Sequence, residues 1–268
     1  MQNDIIAAFD VEAVTDERLK PKDMPADKFP PPIMHIPITV SILIAKRQKS
    51  EVGHIIHPAK LVTLLGDEPE ILQRFSALLD KHRPQLVSYN GRSYDVPVLT
   101  QRAMINRVPM SAYFQLGDKW NSYKQRYSQD WHLDLMDAMS NYRAAPVTSL
   151  GIAATAVGLP GKYGPSGADV GEMFRAGKLC EIADYCETDV LNTYGLMLRW
   201  LHTTGELTEQ GFTKSAQRFY AFLASEGAEK THLAEFGSRV DWDFFSGQAV
   251  NSDVFEAVSE PKILAYGG

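Results

Sequence analysis

Apolar residues run unbroken in short stretches through the first part of the chain and recur at helical spacing later. "DIIAAFDVEAV" opens with such a run and ends in polar residues, which predicts a buried strand that emerges at its end. "TDERLKPKDMPADKFPPP" has no period and predicts a loop. "HIPITVSILIAKR" and "EVGHIIHP" predict two strands joined by the polar turn "QKS". That turn is too short for a crossover, so the pair must be antiparallel. In "GDEPEILQRFSALLDKHRP", Leu72, Phe75, Leu78 and Leu79 follow Asp67 and Glu68 at helical spacing and Pro84 stops the helix.

"QLVSYNG" predicts a strand ending in a turn, and "DVPVLTQRAMINRV" a helix opened by Asp95 and Pro97. "WHLDLMDAM" begins as a strand; "SLGIAATAVGLPGK" is a helix closed by Gly158 and Pro160. "GPSGADVGEM" is a glycine-bearing loop entering a short helix, and a long helix follows from about Lys178 to His202. "TEQGFTKSAQRFYAFLASEGA" reads as one more amphipathic helix, and the stretch from Glu229 has aromatics without a clear period. This order describes an α/β domain with a mixed sheet, whose later, helix-separated strands run parallel. In such sheets the chemistry collects beyond the carboxyl ends of the strands.

Composition changes this picture little. With 44% apolar and 22% charged residues, a chain of 268 residues is an ordinary globular protein, one large domain or a domain with an appendage. A net charge of −6 argues against a broad basic face for duplex, but not against an enzyme that grips a few phosphates through metal ions. Cys180 and Cys186 have neither zinc spacing nor a disulfide framework around them, which points to a reducing interior. The N-terminus has no basic segment followed by a long apolar run, and no apolar run approaches membrane-spanning length. The expectation is a soluble, cytoplasmic protein with no membrane partner.

The chemistry lies in the acids. Asp10 and Glu12 stand two apart at the tail of an apolar strand, hence on one face. They either have emerged into solvent or repel each other until a cation sits between them. Asp95 either caps its helix or serves a site. Asp189 lies mid-helix with Tyr185 one turn before it, as a solvated face or as a functional pair. Glu187 should point about 200° away from Asp189. As a set, four acids at strand ends and on a covering helix suit two hard divalent cations, which can stabilise both oxygens of a phosphodiester displacement.

These residues resemble a family. "FDVEAV" resembles the first motif, Asp-x-Glu, of the DEDD exonucleases, the DnaQ-like group of the ribonuclease H-like superfamily. "SYNGRSYDVPVL" resembles their second motif, and "YCETDV" the Tyr-x-x-x-Asp third motif that marks the tyrosine (DEDDy) subgroup. "HLDLMD" and "SLGIAATAVGLPGK" are similar to connecting segments in the exonuclease domain of family B DNA polymerases. The nearest resemblance is to stand-alone bacterial predicted 3′–5′ exonucleases related to that domain, over roughly residues 1–205, with 206–268 as a C-terminal helix and extension packed on it.

The resemblance implies a ribonuclease H-like mixed five-stranded sheet with one antiparallel strand and helices on both faces. It implies that Asp10, Glu12, Asp95 and Asp189 ligate two Mg²⁺ or Mn²⁺ ions and that Tyr185 orients the attacking water. Asn90 and Tyr94 match positions that contact the 3′-terminal nucleotides, although Tyr94 equally suits core packing against the sheet, and Ser149 and Leu150 resemble a pair near the substrate strand, although Ser149 also suits a helix cap. The implied activity is release of 5′-nucleotides from a single-stranded 3′ end, DNA first. The alternatives are a 3′–5′ exoribonuclease and a non-catalytic nucleic-acid-binding or proofreading subunit of the same fold. A homo-oligomer, or a polymerase or repair partner, stays open. His132 and Asp134 suit structural hydrogen bonding better than a metal, and Lys162 and Lys178 read as solvated lysines rather than phosphate contacts.

Overall fold

The computed structural model describes residues 4–25, 28–164 and 166–247; the end of the expected extension, 248–268, lies outside the described residues. The first apolar run forms β1 (Ile5–Thr15), whose positions 6–9 are buried. Helices cover both of its faces, so the run is continuous rather than alternating. After a 3₁₀ turn at Pro32–Met34, β2 (His35–Ser50) and β3 (Gly53–Leu64) form the antiparallel pair.

The reversal falls at residues 51–52, not at "QKS", which completes β2. The Ser50 hydroxyl donates to the Gly53 carbonyl at 2.9 Å across this turn. β3 also runs beyond Pro58, where the sequence suggested an end. Its register shifts opposite Ile44/Ala45 and it lies at the sheet edge, so the missing proline N–H interrupts little.

α1 (Glu68–His82) starts at Asp67, whose carboxylate accepts from the Glu70 N–H at 2.9 Å. Then come β4 (Gln85–Ser88), α2 (Asp95–Ile105), the short α3 (Ser111–Gln115), β5 (His132–Asp134), α4 (Leu135–Met139), α5 (Leu150–Thr155) and α6 (Val170–Arg175). The long α7 (Leu179–Thr203) is followed by α8 (Glu209–Gly227), α9 (Thr231–Arg239) and α10 (Trp242–Ser246). The strand order is β3-β2-β1-β4-β5. β2 alone runs antiparallel; β4 and β5 lie parallel to β1 and to each other. The expected mixed five-stranded sheet with one antiparallel strand is therefore the observed one.

Residues of β1 alternate between two cores. Ile6 and Ala8 pack with Val190, Tyr194 and Phe219 of α7 and α8, whereas Ala7 and Phe9 pack with Phe75 and Leu99 of α1 and α2. The aperiodic stretch after Glu229 supplies α9 and α10, which bury Phe236, Trp242 and Phe245 in the first core. Helices of nine and five residues are too short to display a period. No helix among the described residues is long and apolar enough to cross a membrane.

Candidate active site

Asp10 and Glu12 lie on β1 just before its register with β2 slips between Glu12 and Ala13. The loop from β4 to α2 turns on Asn90, a non-glycine residue at φ +67°. Gly91 follows because a Cβ there would come within 2.5 Å of the Ser88 side chain and 3.0 Å of Asp95 Oδ2. Asp134 fastens this loop: its carboxylate accepts from the N–H groups of Asn90 and Arg92, each at 2.9 Å, and also caps α4. His132 is buried and pairs through Nε2 with the Ser88 hydroxyl at 2.7 Å. Both residues thus build the loop instead of reaching the site.

A cavity of about 430 Å³ is lined by Asp10, Glu12, Asp95, Asp189, Tyr185 and Lys162, and also by Asn90 and Tyr94. One carboxylate oxygen from each of Asp10, Glu12 and Asp189 lies within 4.8 Å of the others. Asp95 stands outside that group of three yet opens on the same cavity. It is the first residue of α2, 3% exposed, and the cap position belongs to Tyr94, so capping is not its role. The N–H of Val11 on β1 helps to hold its carboxylate.

The acids are poorly compensated. Burial first, then the negative charge of Asp189, pushes Asp10 up to about 7. Burial, then the charge of Asp10, raises both Glu12 and Asp95 well above the carboxylate range. Asp189 is 1% exposed and is raised by burial although Lys162 stands beside it. Its Oδ1 is buried with no hydrogen-bond partner among the described residues. An unpaired buried carboxylate oxygen costs free energy, and hard oxygen donors gathered against their own repulsion are the ligand set of a divalent cation. These residues fit such an ion.

Lys162 was expected in solvent and instead enters the site. Its Nζ donates to the Tyr185 hydroxyl at 2.8 Å and to Asp189 Oδ2 at 2.5 Å. Burial pulls the ammonium down, but Asp189 and Tyr185 more than restore it. Gly161 delivers it: at φ +69°, with a prospective Cβ 2.8 Å from the Gly151 carbonyl, this position suits only glycine. The Gly161 N–H donates to Asn192 Oδ1 at 3.1 Å, and its carbonyl accepts from Asn192 Nδ2 at 2.8 Å. The helix that carries Asp189 therefore also clamps the backbone that brings in Lys162. Burial, then the neighbouring Asp189, keeps Tyr185 above its ordinary pKa, so the phenol stays protonated near neutrality.

Ser149 caps α5, accepting from the Ile152 N–H at 3.4 Å, and Leu150 is buried in the core; neither lines the cavity. Lys178 pairs with Glu181 at the surface, 3.0 Å away. Cys180 and Cys186 are free thiols. Glu187 does point away from Asp189, into a separate buried cluster.

Among curated proteins none matches the chain. A family profile described as a predicted 3′–5′ exonuclease related to the exonuclease domain of PolB matches residues 27–240. The match includes Asp95, Lys162, Tyr185 and Asp189 and runs through α8 and α9; Asp10 and Glu12 precede it and join the site through β1. With most of its length and four of the five strands of its sheet inside the match, the chain belongs to this family of 3′–5′ exonucleases.

Proposed function

We propose that this exonuclease domain removes 5′-nucleotides from the 3′ end of single-stranded DNA, using two divalent cations held by Asp10, Glu12, Asp95 and Asp189. The observation that carries the reading is the convergence of three carboxylates within 4.8 Å, one with an unpartnered buried oxygen. Bound there, Mg²⁺ or Mn²⁺ supplies positive charge to the attacking and leaving oxygens and acidifies water. Tyr185, protonated and fixed by Lys162, offers a hydrogen bond that orients the attacking water instead of acting as its base. The new bond joins water oxygen to phosphorus; the bond that breaks joins phosphorus to the preceding 3′-oxygen, which takes up a proton.

Asn90 and Tyr94, which line the same cavity as the acids, are the residues we assign to the terminal nucleotides. A net charge of −6 agrees with a grip confined to the strand end. Labelled DNA and RNA strands incubated with Mn²⁺ test the proposal. We expect stepwise shortening from the 3′ end, faster on DNA, and none with Asp189→Ala. Binding of intact strands without shortening at micromolar protein overturns it in favour of a binding module, and faster loss of RNA overturns the choice of DNA.

A further inference from the structure

Phe29 is the most exposed large apolar side chain among the described residues, at 71%, and it lines the same cavity as the acids. It is not a loose surface ring. One of its faces stacks on the His35 imidazole, with centroids 4.9 Å apart and planes at 29°, and its ring also meets Tyr94 at 5.9 Å. His35 is itself fixed at both nitrogens. Nε2 lies 3.0 Å from the Pro30 carbonyl and Nδ1 lies 3.1 Å from the Tyr94 hydroxyl. A carbonyl only accepts, so Nε2 carries the proton and Nδ1 accepts from Tyr94. The imidazole is thus a backing plate held by the chain on either side, and Phe29 rests against it.

We infer that Phe29 is the stacking platform for the 3′-terminal nucleobase. The inference rests on the proposed function and extends it to a residue outside the motifs. Stacking uses the π-face common to every base, so this contact grips a strand end whatever its sequence. It also answers a problem of the site: a cavity walled by carboxylates repels phosphate until cations enter, and an apolar ring offers binding that does not depend on charge. His35 and Tyr94 lower the conformational entropy lost on binding by holding the ring in place beforehand.

The test uses strands ending in 2-aminopurine, whose fluorescence falls on stacking, with Ca²⁺ in the buffer. Wild type and Phe29→Trp are expected to quench it on binding, and Phe29→Ala to leave it bright with affinity lowered about tenfold. A strand with an abasic 3′ end separates stacking from mere structure. Wild type should bind it about tenfold more weakly than the intact strand, and Phe29→Ala should bind both alike. Equal quenching in wild type and Phe29→Ala, or an alanine penalty that is the same on intact and abasic ends, overturns the inference. If wild type quenches but never shortens the strand, catalysis falls and the platform stands. If shortening depends on Asp189 while Phe29→Ala behaves as wild type, only the platform falls.

Discussion

Asp189 and Glu187 sit two residues apart on α7, both buried and each beside a lysine, but they differ in how fully their oxygens are partnered. Glu187 accepts from the Thr63 hydroxyl at 2.6 Å, from Lys230 Nζ at 2.8 and 3.0 Å, and from His232 Nε2 at 2.7 Å. Burial alone would push it up; these partners overcome burial and hold it at about 2. Asp189 has Lys162 on Oδ2, with the Tyr185 hydroxyl also helping to lower it, but nothing on Oδ1 and other acids opposite, and burial leaves it raised. A buried carboxylate with its partners built in stabilises the fold. One whose partners fall short is an energetic debt that a ligand can discharge.

Asp189→Ala is the sharpest way to break the comparison. It should lower turnover of a 3′-labelled strand by at least about 10³-fold. It should also leave the thermal midpoint unchanged or higher, because a raised, underpaired acid disappears and alanine favours the helix. A variant that unfolds instead would place Asp189 on the architectural side with Glu187.

Metal should act in the same asymmetric way. At one hundred times its dissociation constant, Mn²⁺ stabilises a protein that binds it only when folded by about 2.7 kcal/mol. Thermal melts with and without EDTA should show a shift of that order in wild type and in Glu187→Gln, and almost none in Asp189→Ala. An equal shift in all three would mean that the ion binds elsewhere.

Glu187→Gln is the mirror image. Breaking a buried, multiply paired carboxylate costs several kcal/mol when the partners are trapped; here Lys230 is partly exposed, so about 2 kcal/mol is expected in a denaturant titration. Activity per folded molecule should stay near wild type, since none of the hydrogen-bond partners of Glu187, Thr63, Lys230 and His232, lines the cavity of the acids. A fall in kcat without a fall in stability would contradict the division of α7 into two faces.

The difference between these two acids explains what the sequence could and could not reveal. Spacing alone set Asp10 beside Glu12 and Tyr185 beside Asp189, because strand and helix periods are local. It also turned Glu187 away from Asp189, but whether that direction led to solvent or to a cluster depended on Lys230 and His232, more than forty residues later. Lys162 was misjudged for the same reason: its place follows from the Asn192 clamp on Gly161, 31 positions away. The β2–β3 reversal was misplaced because "QKS" is as polar as a turn, while pairing with β3 decides where the strand ends. Phe29 sits in a proline-rich stretch without periodicity, and only its ring contacts with His35 and Tyr94 and its place on the cavity wall distinguish it from a loop residue.

The smallest effect expected is the pH dependence that Glu187 confers, and its sign is opposite to that at Asp10. Glu187 titrates at about 2 in the folded chain against an ordinary 4.5, so its folded pKa is depressed. Its stabilisation is complete above about 4.5 and is lost as the pH falls through about 2. Asp10 goes the other way: raised from 3.8 to about 7, it favours the metal-free fold at low pH, and that contribution disappears as the pH rises through about 7. Unfolding in EDTA should therefore show stability falling between pH 4 and 7 in wild type, with Mn²⁺ abolishing the fall because the cation replaces the proton. Below pH 4.5 the gap between wild type and Glu187→Gln should narrow, by no more than about 1 kcal/mol over the first pH unit. A gap that widens on acidification would mean that Glu187 is held protonated in the fold, and the two faces of α7 would then be alike.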